Sequence, residues 1–245
     1  MRPAVREAFV AFTAPLEGVV PYLYADIKGL VTIAIGNLVD PVDHALPLPL
    51  YTPDGRPATS EEIRAEWTRV KNDTAAARLG HRYAREITKL RLTDAGVSKV
   101  VLGKLDLVDS QMRARFAAWE EWPADAQLAA LSMAWACGAG FVRIFPRLAK
   151  ALDVGDFAAA ARKCHINETG NPGIKPRNVA NKMLFRNASR AADPSMLAWP
   201  EELLEAEPPS TVPELVQPRN PNGASDGIAA DAVAEYQRDR DRERE

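Results

Sequence analysis

The chain has 245 residues, 47% of them hydrophobic, and a formal net charge of −2. This is enough apolar material for one large domain or two small ones. The balanced charge, with no dense Lys/Arg stripe carrying interleaved aromatics, argues against nucleic-acid binding.

The charge is unevenly placed. From residue 201 onward the chain carries 5 Arg and 12 Asp or Glu, which leaves residues 1–200 at +5. The two cysteines, Cys137 and Cys164, lie in apolar helical contexts and read as reduced core thiols. The opening MRPAVREAFVAF is charged and has no long apolar run, so it does not read as a secretory signal. No stretch approaches the roughly 20 apolar residues of a membrane span.

Residues 4–19 predict a short amphipathic helix, with Val5, Phe9, Phe12 and Leu16 at helical spacing and Pro21 as its breaker. Residues 22–38 change period. Tyr22 and Tyr24 alternate, and Leu30, Val31, Ile33 and Ile35 form a β-rich run punctuated by Gly29 and Gly36. This predicts a small antiparallel hairpin or meander. The proline-rich span 40–57 reads as loop. Thr59 and Glu62 form a capping-box pattern that predicts a helix through about Leu79, with Ile63, Trp67 and Val70 inward. Thr93 caps a second helix start, and helices continue to about residue 190. Pro123 marks a first helical turn, and Gly138, Gly140, Gly155 and Gly170 mark breaks. Beyond Trp199 the composition predicts a disordered acidic tail over 200–245, either solvating or docking, with room for an amphipathic helix near 227–237.

One stretch carries chemistry. Leu16-Glu17-Gly18 is followed by Tyr24-Ala25-Asp26, then Gly29 and Thr32-Ile33-Ala34-Ile35-Gly36-Asn37. Glycosidic cleavage needs one carboxylic acid to protonate the leaving oxygen and a second carboxylate to handle water or attack. Glu17, at an apolar helix end, is expected to be partly buried and so held protonated. Asp26, in a more exposed hairpin, is expected to be ionised. Thr32 offers a hydroxyl to hold a water.

This stretch resembles the active-site signature of the phage-type lysozymes, including the T-even phage enzyme, with the spacing from Glu17 to Asp26 to Thr32 matched without gaps. The likeness continues through QLAALSMAWACGAG at 127–140 and through Arg177 to Phe185. The resemblance implies a two-lobed α+β fold, mainly helical, with a small antiparallel lobe at about 10–87 and a helical lobe at about 88–190, in a catalytic domain spanning 1–195. It implies an inverting muramidase that cuts the β-1,4 bond between N-acetylmuramic acid and N-acetylglucosamine in peptidoglycan. Glu17 is then the acid, Asp26 and Thr32 direct water, and Arg177 orients Glu17. Trp135 and Asn37 are substrate-binding candidates. The mildly basic body suits an anionic polymer.

Three departures stand out. Ala34 replaces a family Gly, Asn37 a family His, and Asn178 and Asn181 the family's second Arg and its Glu. Residues 38–87 have no family counterpart. No cofactor or metal is expected, because His44, His81 and His165 lack ligand spacing. The expected partner is the glycan strand. Delivery machinery, a holin or a secretion system, would carry the protein from the cytoplasm to the cell wall, and an immunity protein would accompany a toxin role. The competing expectations are a non-catalytic glycan-binding module of a phage tail or secretion apparatus, and a glycosidase for another amino-sugar polymer such as chitin.

Overall fold

The structure is a computed structural model that describes residues 1–199. The acidic tail, with the helix that the sequence leaves room for near 227–237, lies outside the described residues. The fold is mostly helical with a small antiparallel sheet, an α+β class. No helix among the described residues is long and apolar enough to cross a membrane.

The chain divides into two compact units, residues 13–104 and residues 1–12 with 105 onward. Helix α1, Pro3–Glu17, passes through the first boundary. Its Val5, Phe9 and Phe12 are almost fully buried, as their spacing predicts. Pro15 sits in its last turn and removes one helical donor. Gly18 ends the helix at φ 78°, donating its N–H to the Ala14 carbonyl at 2.8 Å. That left-handed cap is cheap only for glycine. It fixes Glu17 in the final helical turn and redirects the chain into the sheet.

In the 13–104 unit, β1 (Val20–Ala25), β2 (Val31–Ala34) and β3 (Asn37–Leu38) form an antiparallel meander. Tyr24 faces Thr32 and Val20 faces Ala34, so β1 advances four residues where β2 advances two. Ala34 lies at this irregularity with φ 57°, buried. A non-glycine residue therefore holds a left-handed backbone here.

The span read as loop contains a two-residue strand, β4 (Leu50–Tyr51). Helix α2, Ser60–Asn72, has the full capping box. Glu62 N–H donates to Thr59 Oγ1 at 3.2 Å, and Thr59 N–H donates to Glu62 Oε2 at 2.8 Å. The helix ends at Asn72, not near Leu79, because Asp73 turns extended and its carboxylate caps the Ala75 N–H at 2.8 Å. Helix α3, Ala76–Ile87, follows and is broken at Gly80, φ 70° and ψ −164°. Ile63 and Val70 are buried as expected, Trp67 is half-buried, and Glu66 is buried beside them. Glu66 accepts from the Lys89 and Leu90 N–H groups at 2.6 and 3.0 Å. These bonds position β5 (Arg91–Leu92), which pairs with β4. Helix α4, Asp94–Arg115, starts on the predicted Thr93 cap, which accepts the Gly96 N–H at 3.0 Å.

In the other unit, α5 (Ala124–Cys137) is buried nearly all round, the mark of a central helix. Short α6 (Phe141–Ile144), α7 (Pro146–Asp153), α8 (Phe157–Lys163) and α9 (Lys175–Ala188) follow, with α9 packed on α5 and α8. The polar groups of α5 are satisfied. Gln127 Nε2 donates to the Trp119 carbonyl at 2.7 Å, and Asp125 accepts the Ala198 N–H at 2.9 Å. Trp119 and Trp122 pack in the core with tilted rings 5.1 Å apart, and Phe116 and Phe157 lie against Trp122. Cys137 and Cys164 are buried free thiols, and burial pushes Cys164 up to about 11.

Candidate active site

Asp26 closes the turn between β1 and β2. Its Oδ1 accepts the Lys28 and Leu30 N–H groups at 2.9 and 2.8 Å, and its backbone N–H donates to the Leu30 carbonyl at 2.9 Å. This is the Asx geometry that a short carboxylate makes with its own turn. Its Oδ2 has no hydrogen-bond partner among the described residues. Thr32 is buried, and its hydroxyl donates to the same Leu30 carbonyl at 3.3 Å. No donor among the described residues reaches the lone pairs of that hydroxyl, so it can accept from a water.

The expected contrast in burial between the two carboxyls is reversed. Asp26 is half-buried, and burial pushes its carboxyl above the ordinary range. The two turn N–H groups and the Lys28 and Lys71 cations oppose that shift. Glu17 is exposed, because the Gly18 cap ends α1 and turns the last helical residue outward. Partial burial of Glu17 is therefore not found.

Tyr24 senses the charge of both acids. Burial pushes its phenol well above the usual range, and the charges of Asp26 and Glu17 both add to the rise. Its hydroxyl thus lies within the electrostatic reach of both. His81 of α3 packs edge-on against Tyr24, with ring centroids 6.4 Å apart at 75°. Sequence reading set His81 aside as a scattered histidine. Only the packing of α3 on β1 brings it here, and no local pattern signals that.

Lys71, from α2, braces the hairpin. Its Nζ donates to the Gly29 carbonyl at 3.0 Å and pairs with Asp40 at 2.5 Å, while Asp40 also accepts the Val31 N–H at 3.1 Å. Trp67 Nε1 donates to the Val39 carbonyl at 2.9 Å. Residues from 38–87 thus support the hairpin that carries Asp26 and Thr32.

The remaining candidates sit as follows. Asn37 is buried, and its amide nitrogen donates to the Val100 carbonyl at 3.3 Å, an anchor between β3 and α4. Its Oδ1 is buried without a partner among the described residues. Trp135, 8% exposed, lies against Phe9 with centroids 5.1 Å apart, so its ring is engaged in the core. Arg177 is 1% exposed and donates to the Ser132 carbonyl and Oγ at 3.0 and 2.8 Å. Asn178 bonds the backbone of Ile166 through both amide atoms at 2.8 Å. No group of three or more His, Cys, Asp or Glu side chains poised for a metal occurs among the described residues.

The arrangement offers one solvent-facing carboxyl at a helix end and one oriented carboxylate beside a hydroxyl on a braced hairpin. Such a set can protonate a leaving oxygen and hold a water for attack. No protein-family model, curated protein or solved structure matches the chain.

Proposed function

We propose that this chain is a muramidase that hydrolyses the β-1,4 bond after N-acetylmuramic acid in peptidoglycan with inversion. Glu17 is the general acid. Asp26, through Oδ2, and Thr32, through its hydroxyl lone pairs, direct the water. The observation that carries the reading is the common backbone anchor of Asp26 and Thr32, with Tyr24 under the charge of both Asp26 and Glu17. The exposed end of α1 leaves Glu17 accessible to a substrate. Inversion requires carboxyls roughly 6.5–9.5 Å apart with water between them.

A second reading follows from Asp26 itself. Its Oδ1 closes the hairpin, so the residue has a structural use in a chain that binds glycan without cutting it. Turbidity clearing and reducing-end release from purified cell walls separate the two. Under the muramidase reading wild type acts and Glu17→Gln does not. Under the binding reading neither acts while both sediment with the walls.

A further inference from the structure

The turn that orients Asp26 is gripped from outside at two points. Within the turn, the Gly29 N–H donates to the Asp26 carbonyl at 2.9 Å, in addition to the two bonds received by Asp26 Oδ1. From the last turn of α2, Lys71 Nζ donates to the Gly29 carbonyl at 3.0 Å. The same ammonium pairs with Asp40 Oδ2, and that oxygen accepts the Val31 N–H at the head of β2. One cation therefore holds the turn just after Asp26 and the strand just before Thr32.

This cation is also shielded. The Lys71 and Asp40 side chains are 32% and 14% exposed, so water and salt screen them less than a fully exposed pair. The other charged or titratable groups around Asp26 are less suited to balance its charge. Lys28 is on the same turn but exposed. Glu17 has the same sign as Asp26. Tyr24 of β1 stays neutral, because burial and both acids push its phenol up. His81 of α3, packed on Tyr24, is pushed down by burial and is neutral at pH 7. A half-buried carboxylate needs a nearby cation to remain ionised. Lys71 is within electrostatic reach of Asp26 and is fixed there by two bonds.

We propose that Lys71, paired with Asp40, is the positioning residue of the candidate site: it clamps the turn that aims the Asp26 carboxylate and supplies the fixed counter-charge for it. The use of Asp26 in hydrolysis rests on the muramidase reading above. The charge relation between Asp26, Lys71 and Asp40 does not.

The test uses the full chain and three variants, Lys71→Met, Lys71→Arg and Asp40→Asn. One readout is the NMR titration of the Asp26 carboxyl carbon, assigned by its absence in Asp26→Asn. The other is the pH profile of kcat/KM on purified peptidoglycan, whose acid limb follows the free enzyme's base. Lys71→Met leaves Asp40 as an unpaired negative charge, so the titration and the acid limb are expected to move to higher pH. Asp40→Asn keeps an oxygen for the Val31 N–H and leaves the Lys71 charge unopposed, so both are expected to move to lower pH. Lys71→Arg keeps the charge and should stay near wild type. A brace without an electrostatic role lowers melting temperature and rate in Lys71→Met and leaves the titration unmoved. That result overturns the proposal, as do shifts of Lys71→Met and Asp40→Asn in the same direction, or a shift in Lys71→Arg as large as that in Lys71→Met. If Lys71→Met does not fold, Asp40→Asn decides alone: a downward shift supports the proposal, and an upward shift or none overturns it. If wild type releases no fragments from peptidoglycan, the muramidase reading has failed, and the NMR titration still decides whether Lys71 sets the charge of Asp26.

Discussion

Asp26 and Thr32 meet at one residue, Leu30, whose N–H the Asp26 carboxylate accepts and whose carbonyl the Thr32 hydroxyl contacts. The hairpin thereby fixes the two side chains relative to each other through the backbone. A carboxylate and a hydroxyl held this way are pre-oriented for a shared water.

Thr32→Val removes that hydroxyl and keeps the β-branched shape that suits β2. Stability should fall by only about 1 kcal/mol, the net worth of one hydrogen bond. The rate of glycan hydrolysis should fall at least about tenfold, as expected for loss of a water-positioning contact of about 1.4 kcal/mol. Thermal melts and reducing-end assays on the same preparation separate these effects. A melt shift without a rate loss would remove Thr32 from the chemistry.

Asp26→Asn keeps an oxygen for the Lys28 and Leu30 N–H groups, whereas Asp26→Ala does not. The folded-state carboxyl lies above its unfolded value because of burial, so the folded chain binds this proton more tightly. The contribution favours folding fully below the ordinary carboxyl pKa of about 3.9 and is lost as pH rises through the folded value. Asp26→Asn should therefore gain on wild type in melting temperature as pH climbs from about 4 to 7, while losing activity. Asp26→Ala should be less stable than Asp26→Asn at every pH. Wild type and Asp26→Asn showing the same pH dependence of melting would show that burial does not strain this carboxyl.

Ala34 holds φ 57° in a buried bulge. A left-handed backbone costs a non-glycine residue about 1–2 kcal/mol. Glycine gives back roughly 0.5–1 kcal/mol through its freer unfolded chain. Ala34→Gly should then stabilise by about 0.5–1 kcal/mol, a rise of roughly 1–4 °C in melting temperature. An unchanged or lower melting temperature would mean that the alanine methyl contributes packing that offsets the strain.

Much of the fold was legible because its signals are local. The 3–4 spacing of Val5, Phe9 and Phe12, the Thr59–Glu62 box and the Thr93 cap each act over one helical turn. The hairpin followed from alternation and glycine placement. The missed features depend on distant partners. β4 pairs with β5 some forty residues later, and only that pairing turns a proline-rich loop into a strand. Glu66 reads as a helix-surface acid until the Lys89 and Leu90 N–H groups are placed against it. The Gly80 break, an extended conformation open to glycine alone, is indistinguishable in sequence from a tolerated helical glycine. Within the candidate site, Glu17, Asp26 and Thr32 are candidates through the resemblance, and the structure gives their surroundings. The solvation of the two acids did not follow, because it depends on how the Gly18 cap turns Glu17 outward and how Lys71 and Asp40 close over the hairpin.

The most direct measurement is mass spectrometry of the fragments released from purified peptidoglycan by wild type and by Glu17→Gln. The account predicts wild-type fragments with N-acetylmuramic acid at the new reducing end, and a rate for Glu17→Gln lower by about 10²–10⁴-fold, the usual worth of a general acid. Fragments ending in N-acetylglucosamine, no fragments from wild type, or undiminished release by Glu17→Gln would contradict it.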